Sequence, residues 1–128
     1  MANLYVRSTD GNNSDNGTTW ALAKATVAGV AAIDAAGDTI YLSQDHNETT
    51  ASSVSVALAG TLASPTRIIC GNDAAEPPTT TAATAQIATT GASSITLTGT
   101  SFYVYGVKFV CGSSTSSATL NLCNTFAH

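Results

Sequence analysis

Carboxylates, which are among the side chains that carry out acid–base chemistry, are unevenly distributed along this chain. All eight Asp and Glu residues lie at or before Glu76, and Lys108 is the only clearly charged residue in the stretch from Pro77 to His128. General acid–base catalysis needs at least two positioned titratable groups. Because the later part of the sequence supplies no carboxylate, we expect neither an active site nor a cofactor within the 128 residues, and no enzyme activity.

Two short stretches carry the residue types of a metal site. Asp10 and Asn12 alternate with further polar residues as in a calcium loop, but Asp15 stands where such a loop needs Gly, and no Glu follows at its twelfth position. We therefore predict a turn-rich loop closed by its own side chains.

Asp45, His46 and Glu48 form the second cluster, directly after a predicted strand. A metal ion would need further ligands from elsewhere, and His128 is the only other histidine. A solvated turn is the expected structure, and we predict no metal ion at either stretch.

Tyrosines near the C-terminus offer a different chemistry. Alternation along "FYVYG" places Phe102 and Val104 on one face of a strand, and Tyr103 and Tyr105 on the other. One of these faces must belong to the core. If the tyrosines face outward, their rings form a platform on which a sugar could stack.

Composition limits the function further. A chain of 128 residues suits one domain, and only 9% of its residues are charged. The four basic residues are scattered, which argues against binding to nucleic acid, and no apolar run is long enough to suggest a membrane span. The N-terminus shows no secretory signal pattern, so we expect a protein that is made and kept in a reducing cytoplasm or assembled there into a particle.

The periodicity of apolar residues predicts one helix followed by strands. We place the helix at residues 27–36, with Thr26 as its N-cap and Gly37 after its C-terminus. The apolar residues at helical spacing are Val27, Val30 and Ile33. The short β-type runs are 38–43, 53–60, 66–71, 85–91, 94–99, 102–112 and 118–123.

Two of these runs share the order base, apolar, apolar, Cys, Gly, and they begin 41 residues apart, at 67 and at 108. Such repetition is typical of stacked architectures, here a coil of three short strands per turn, although periodicity alone leaves a β-sandwich open. We predict that Ile68 and Phe109 point to the same core wall. Cys70 and Cys111 should then form a ladder of reduced, buried thiols along the axis.

The first part of the sequence resembles the opening of right-handed parallel β-helix proteins of the pectate-lyase-like group. The matching residues are Tyr5-Val6, Asp10-Gly11, Asn16-Gly17, Trp20-Ala21, Thr26 and Gly37-Asp38-Thr39-Ile40-Tyr41-Leu42. The run "SFYVYGVKFV" at 101–110 resembles a rung of such a helix. The resemblance implies an all-β, single-stranded parallel β-helix. Residues 1–37 would form its first strand, loop and capping α-helix, and residues 38–128 its rungs, as the start of a longer β-helix.

The low charge and the Ala, Thr and Ser surface are similar to those of bacteriophage virion proteins with this fold. The resemblance implies a virion protein assembled in the host cytoplasm, most readily a capsid decoration protein, because the cap begins almost at Met1. The alternatives are a tail spike that binds or degrades host polysaccharide, with its site beyond residue 128, and a bacterial surface adhesin. We expect a homotrimer in contact with other virion proteins, and a host glycan as a further candidate partner.

Overall fold

The computed structural model describes residues 1–113 and 117–123, and its architecture is all-β with almost no helix. The strands are β1 (Asn3–Val6), β2 (Thr39–Ser43), β3 (Asn47–Thr50), β4 (Val54–Ala57), β5 (Thr66–Gly71), β6 (Ala85–Thr89), β7 (Ile95–Thr98), β8 (Phe102–Tyr105), β9 (Val107–Val110) and β10 (Leu120–Cys123). The helical elements among the described residues are α1 (Val27–Ala31) and a 3-10 helix at Trp20–Leu22.

The strands form three sheets, and every strand pairing in them is parallel. Sheet A has the order β1-β2-β5-β8, sheet B the order β3-β6-β9, and sheet C the order β4-β7-β10. From β2 onward the chain enters sheets A, B and C in that sequence three times. We call these passages the first round (β2 to β4), the second round (β5 to β7) and the third round (β8 to β10).

One hydrophobic core is shared by the three sheets. Alternate residues of each strand point into it, so that Leu4, Ile40, Ile68 and Val104 follow one another in register across sheet A. The fully buried aliphatic side chains of the core include Val6, Val27, Val30, Ile40, Leu42, Val56, Ile87, Ile95 and Leu97. Burial of each such side chain stabilises the fold by about 1.5–3 kcal/mol relative to exposure.

Helix α1 begins where the sequence predicts. The Thr26 side chain accepts a hydrogen bond from the backbone N–H of Gly29 at 3.0 Å, which confirms the predicted N-cap. The helix ends at Ala31, however, so the prediction of a helix over 27–36 was wrong in length. Ile33 is exposed and does not extend the buried face that Val27 and Val30 form.

The early end of α1 has a physical cause. Glycine and β-branched valine have low helix propensity, and hydrogen bonds tie the following residue Asp34 to another part of the chain. Its Oδ2 accepts from the Ala59 N–H at 2.8 Å and from the Thr66 hydroxyl at 2.9 Å. Gly37 has the positive φ expected of it, 87°, but lies in a turn that the Asp38 N–H closes.

The predicted strand over 102–112 is two strands in two sheets. Gly106 separates β8 from β9 with a φ of 74°, in the left-handed region that glycine adopts readily. A Cβ atom built there would lie 2.0 Å from the carbonyl oxygen of Ala82, so no larger residue fits without a shift of the backbone. Because Gly106 turns the chain, the third round passes directly from sheet A to sheet B.

Strand β3 was not predicted from the sequence, because Asn47–Thr50 lacks the alternating apolar residues by which a strand is recognised. It pairs with β6 in a register that sets Glu48 beside Ile87. The inward position that an aliphatic residue would normally occupy is therefore filled by a carboxylate.

The predicted alignment of the two Cys-Gly runs was wrong. Ile68 lies in sheet A, where it pairs with Val104, whereas Phe109 lies in sheet B, where it pairs with Ile87. The two runs share a residue order but occupy different sheets, so Cys70 and Cys111 do not form an axial ladder. Both thiols are free, as expected of reduced cysteines. The side chain of Cys123 lies outside the described part of the structure.

Candidate functional site

The outer face of sheet A carries the largest group of aromatic side chains. Register places Tyr5, Tyr41, Ile69 and Tyr105 in one line across the four strands. The rings of Tyr5 and Tyr41 stack with their centroids 5.8 Å apart. This line crosses the whole sheet, but its two halves differ in what covers them.

The half nearest the N-terminus is covered. Trp20 packs edge-on against Tyr5 at a centroid distance of 4.8 Å. Its indole N–H donates to the carbonyl oxygen of Ala75 at 3.0 Å, and its backbone N–H donates to the Glu76 carboxylate. Burial, and then the charge of Glu76, raises the pKa of the Tyr5 phenol. These contacts leave Tyr5 inaccessible to a ligand.

The other half is open, and we call its residues Arg67, Ile69, Tyr103 and Tyr105 the open patch. Tyr103 is 52% exposed and Tyr105 is 45% exposed, so the tyrosines face outward, as a stacking platform would require. Register sets Arg67 directly beside Tyr103. Within residues 1–113 and 117–123 the Arg67 guanidinium has no hydrogen-bonded or ion-paired partner.

The open patch is suited to stacking and to hydrogen bonding. Phenol rings present flat apolar faces, and a guanidinium donates several hydrogen bonds to oxygen atoms in one plane. The sequence identified Tyr103 and Tyr105 through strand alternation. It missed Arg67 and Ile69, because their place beside the tyrosines depends on the register of β5 against β8. Around these side chains the described residues enclose no pocket, so the patch is a flat surface.

The candidate calcium loop is closed by its own side chains. Asp10 is engaged by Arg7, whose Nη2 donates to Asp10 Oδ2 at 2.9 Å. Asn12 Oδ1 accepts from the backbone N–H of Ser14 at 3.0 Å, which forms an Asx turn. The two side chains therefore have partners within the chain.

The second candidate cluster is divided between solvent and the interior. Asp45 is exposed, whereas His46 and Glu48 are buried. The expected solvated turn is therefore correct for Asp45 and wrong for the other two residues. Their burial could not be predicted from the sequence, because a polar run after a strand is normally a surface turn.

His46 and Glu48 form a buried pair beneath α1. Glu48 Oε2 accepts a hydrogen bond from the Val27 N–H, at the start of α1, with a length of 2.9 Å. His46 Nε2 lies 3.4 Å from the same oxygen, and neither ring nitrogen makes a hydrogen bond to any described residue. The hydrogen bond between Val27 and Glu48 joins β3 to the first turn of α1, and His46 lies beside Glu48. The pair therefore has a structural role.

No three His, Cys, Asp or Glu side chains among the described residues are placed to hold a metal ion together. None of the helices in this part of the chain has the length and the apolar run that a membrane crossing requires. Comparisons of the chain with models of protein families, with curated proteins and with solved structures found no match.

Proposed function

We propose that the chain is a structural protein of a bacteriophage virion, built as a right-handed single-stranded parallel β-helix whose N-terminal end α1 caps. The fold proposal is supported by the repeated order of sheets A, B and C around one core. The position of α1 also supports it. The helix packs against β4 and β1, which are the first strands of sheets C and A and lie at the edges of those sheets.

The observation that carries the structural role is the character of the outer faces of sheets B and C. In register, Ser55, Thr96 and Asn121 follow one another across sheet C. On sheet B, Asn47 and Gln86 are neighbours, and the Gln86 amide donates to Asn47 Oδ1 at 3.1 Å. Apart from Lys108, which follows Gln86 in register on sheet B, these rows consist of uncharged polar side chains, which pack against another protein surface with little charge to desolvate. Such faces suit a protein that coats a particle.

The proposal includes a homotrimer, in which copies lie side by side. The open patch supports this part, because exposed tyrosine and arginine side chains, here Tyr103, Tyr105 and Arg67, are enriched at protein interfaces. Capsid decoration follows as the role in which such a unit binds repeatedly to other virion proteins.

The test uses purified particles of the phage that encodes the chain. Mass spectrometry should detect the protein in a fixed ratio to the major capsid protein, and an electron microscopy map should place it on the head. Absence of the chain from purified particles would overturn the proposal. Density at the tail alone would overturn decoration and favour the second candidate.

That second candidate is a tail spike that binds a host surface polysaccharide, and the open patch favours it. Tyr103 and Tyr105 lie beside Arg67, whose guanidinium has no partner among the described residues, and this arrangement offers both stacking and hydrogen bonding to a sugar. Binding of host polysaccharide should fall at least about tenfold in Tyr103→Ser, which corresponds to about 1.4 kcal/mol. Leu62→Ser, at an exposed apolar residue elsewhere, should bind as the wild type does.

A further inference from the structure

The basic side chains of this protein differ in how far the fold already uses their charge. Arg7 forms ion pairs with two carboxylates. Lys24 is buried, and its Nζ donates to a backbone carbonyl at 2.8 Å. Arg67 and Lys108 are exposed, and neither has a hydrogen-bonded or ion-paired partner in residues 1–113 and 117–123. Of these two, Arg67 belongs to the open patch.

The strands around Arg67 supply no carboxylate to neutralise it. In register it lies between Thr39 and Tyr103, which are both uncharged. Asp34 and Asp38, which precede β2, accept hydrogen bonds from backbone N–H groups and form no ion pair with Arg67. The strands that follow β5 contain no Asp or Glu. The carboxylate of a ligand would therefore meet a guanidinium whose charge no neighbour offsets.

The side chains of the open patch form a small, flat rectangle. Register pairs Arg67 with Tyr103 and Ile69 with Tyr105. Outward positions on one strand lie about 7 Å apart, and neighbours on paired strands lie about 5 Å apart. Two phenol rings with a guanidinium beside them suit a ring-shaped ligand that has an apolar face and an anionic substituent. A sugar acid has both, because C–H groups line the face of its ring and a carboxylate is attached to it.

The open patch lies on the outer face of sheet A and not on the outer edge of β8. Backbone pairing takes place in the plane of a sheet, whereas side chains project out of that plane. A strand that pairs with β8 would therefore extend this face and would not place its backbone over the tyrosine rings.

The number of cations distinguishes between classes of anionic ligand. Nucleic acid requires several cations that converge on successive phosphates, and Lys108 lies in another sheet, in register with Gln86 of sheet B. The net charge of the chain is −4, which disfavours binding of a densely charged polymer. One guanidinium beside apolar ring faces instead matches a sugar chain in which a carboxylate recurs among uncharged groups.

We propose that the open patch binds an acidic polysaccharide, and that Arg67 selects it by pairing with the carboxylate of a sugar acid while Tyr103 and Tyr105 stack on sugar rings. Two parallel hydrogen bonds from a guanidinium to a carboxylate fix the orientation of the sugar as well as its charge. The inference rests on the second candidate function above, in which the patch faces a polysaccharide, and it adds the chemical class of that polysaccharide.

An array of oligosaccharides tests the class of ligand. Each oligosaccharide that contains glucuronic or sialic acid is placed beside the same oligosaccharide with its carboxylate reduced to an alcohol. The full chain should bind at least one acidic member about tenfold or more tightly than its reduced partner, because a hydrogen bond to a charged group is lost on reduction. Added salt should weaken binding of the acidic member, since it screens the exposed charges.

Variants that each remove one positive charge identify the residue responsible. Arg67→Gln should weaken binding of the acidic member about tenfold or more and leave binding of the reduced partner nearly unchanged. Arg67→Lys keeps the charge but loses the planar guanidinium, so its affinity should be intermediate. Lys108→Gln makes the same change of charge at an exposed residue of sheet B and should bind as the wild type does. Circular dichroism establishes that each variant is folded.

Equal binding of acidic and reduced members would overturn the proposal and leave the polysaccharide candidate standing. Equal losses in Arg67→Gln and Lys108→Gln would also overturn it, because net charge rather than Arg67 would then control the affinity. Binding of no oligosaccharide would overturn the polysaccharide candidate and this inference with it. Tighter binding of a single-stranded oligonucleotide than of any sugar would identify the patch as a nucleic-acid surface instead. Absence of the chain from virions would overturn the virion role alone.

Discussion

The two ends of this molecule differ in how their strand edges and their part of the core are covered. At the N-terminal end, residues of the loop before α1 pair with the edge of β1, and α1 covers the core. At the opposite end, which we call the distal end, no described residue pairs with the outer edges of β8, β9 and β10, and Leu120 and Leu122 are half-exposed. The contrast shows that the closed end is made by residues outside the three rounds.

Closure also brings charged groups into the interior. The buried charged residues of the described chain are Lys24, Asp38 and Glu48, and all three lie at the closed end or beside it. Lys24 Nζ donates to the Asn13 carbonyl at 2.8 Å, and Asp38 Oδ2 accepts from the Ala35 N–H at 3.1 Å. Each satisfies backbone groups that an irregular chain end would otherwise leave unpaired.

The largest expected effect compares equivalent leucines of sheet C. Leu97→Ala should lower the free energy of unfolding by about 3 kcal/mol, because Leu97 is fully buried and its removal leaves a cavity. Leu122→Ala should cost about 1 kcal/mol or less, because that side chain is half-exposed. Urea denaturation of both variants measures the difference. Equal losses would show that the core is as tightly closed at the distal end as in the second round.

The next effect concerns the buried carboxylate at the closed end. Glu48→Ala should destabilise the protein by about 3 kcal/mol, because the Val27 N–H loses its acceptor and the removal of a buried side chain leaves a cavity. Thr49→Ala changes the exposed neighbour on the same strand and should stay within about 0.5 kcal/mol of the wild type. Chemical denaturation measures both. A Glu48→Ala variant as stable as Thr49→Ala would mean that the cap does not depend on this contact.

A smaller effect is expected at the start of α1. Thr26→Ala removes the acceptor for the Gly29 N–H and should cost about 1 kcal/mol. Thr26→Ser keeps the hydroxyl and should retain most of the stability. The thermal unfolding midpoint of the two variants, measured together, checks this order. If Thr26→Ser and Thr26→Ala are equally destabilising, the methyl group of Thr26 rather than its hydrogen bond stabilises the start of α1.

The smallest effect is a dependence on pH at Asp34. Burial raises the pKa of this carboxyl above its ordinary value of 3.8, so the folded state holds the proton more tightly than the unfolded chain does. The stability that this provides is present below pH 3.8 and is lost as the pH rises through the raised pKa. The stability of Asp34→Asn relative to the wild type should therefore increase as the pH rises from acid to neutral.

Denaturation curves at several pH values measure that increase. Asp45→Asn makes the same substitution at an exposed turn and serves as the control. A difference for Asp34→Asn that falls as the pH rises would contradict the predicted sign.

Local pattern in the sequence was enough to predict much of the fold. Most strands, the start of α1 at Thr26 and the positive φ of Gly37 follow from alternation, capping and the properties of glycine. The same alternation placed Tyr103 and Tyr105 on one face of β8, whereas the outward direction of that face was decided by the tertiary structure. These features depend on residues a few positions apart, which a sequence displays directly.

The sequence by itself thus determined a β-rich chain with one short helix, an acidic first part and an almost uncharged remainder. Only the tertiary structure decided that β3 is a strand with Glu48 in the interior, that Gly106 moves the chain between sheets, and that Ile68 and Phe109 lie in different sheets. The register that places Arg67 beside Tyr103 and leaves β8, β9 and β10 at the edge was decided in the same way. The physical reason is that parallel pairing joins residues far apart in the chain, so partners are selected by the packing of the shared core and not by neighbouring residues.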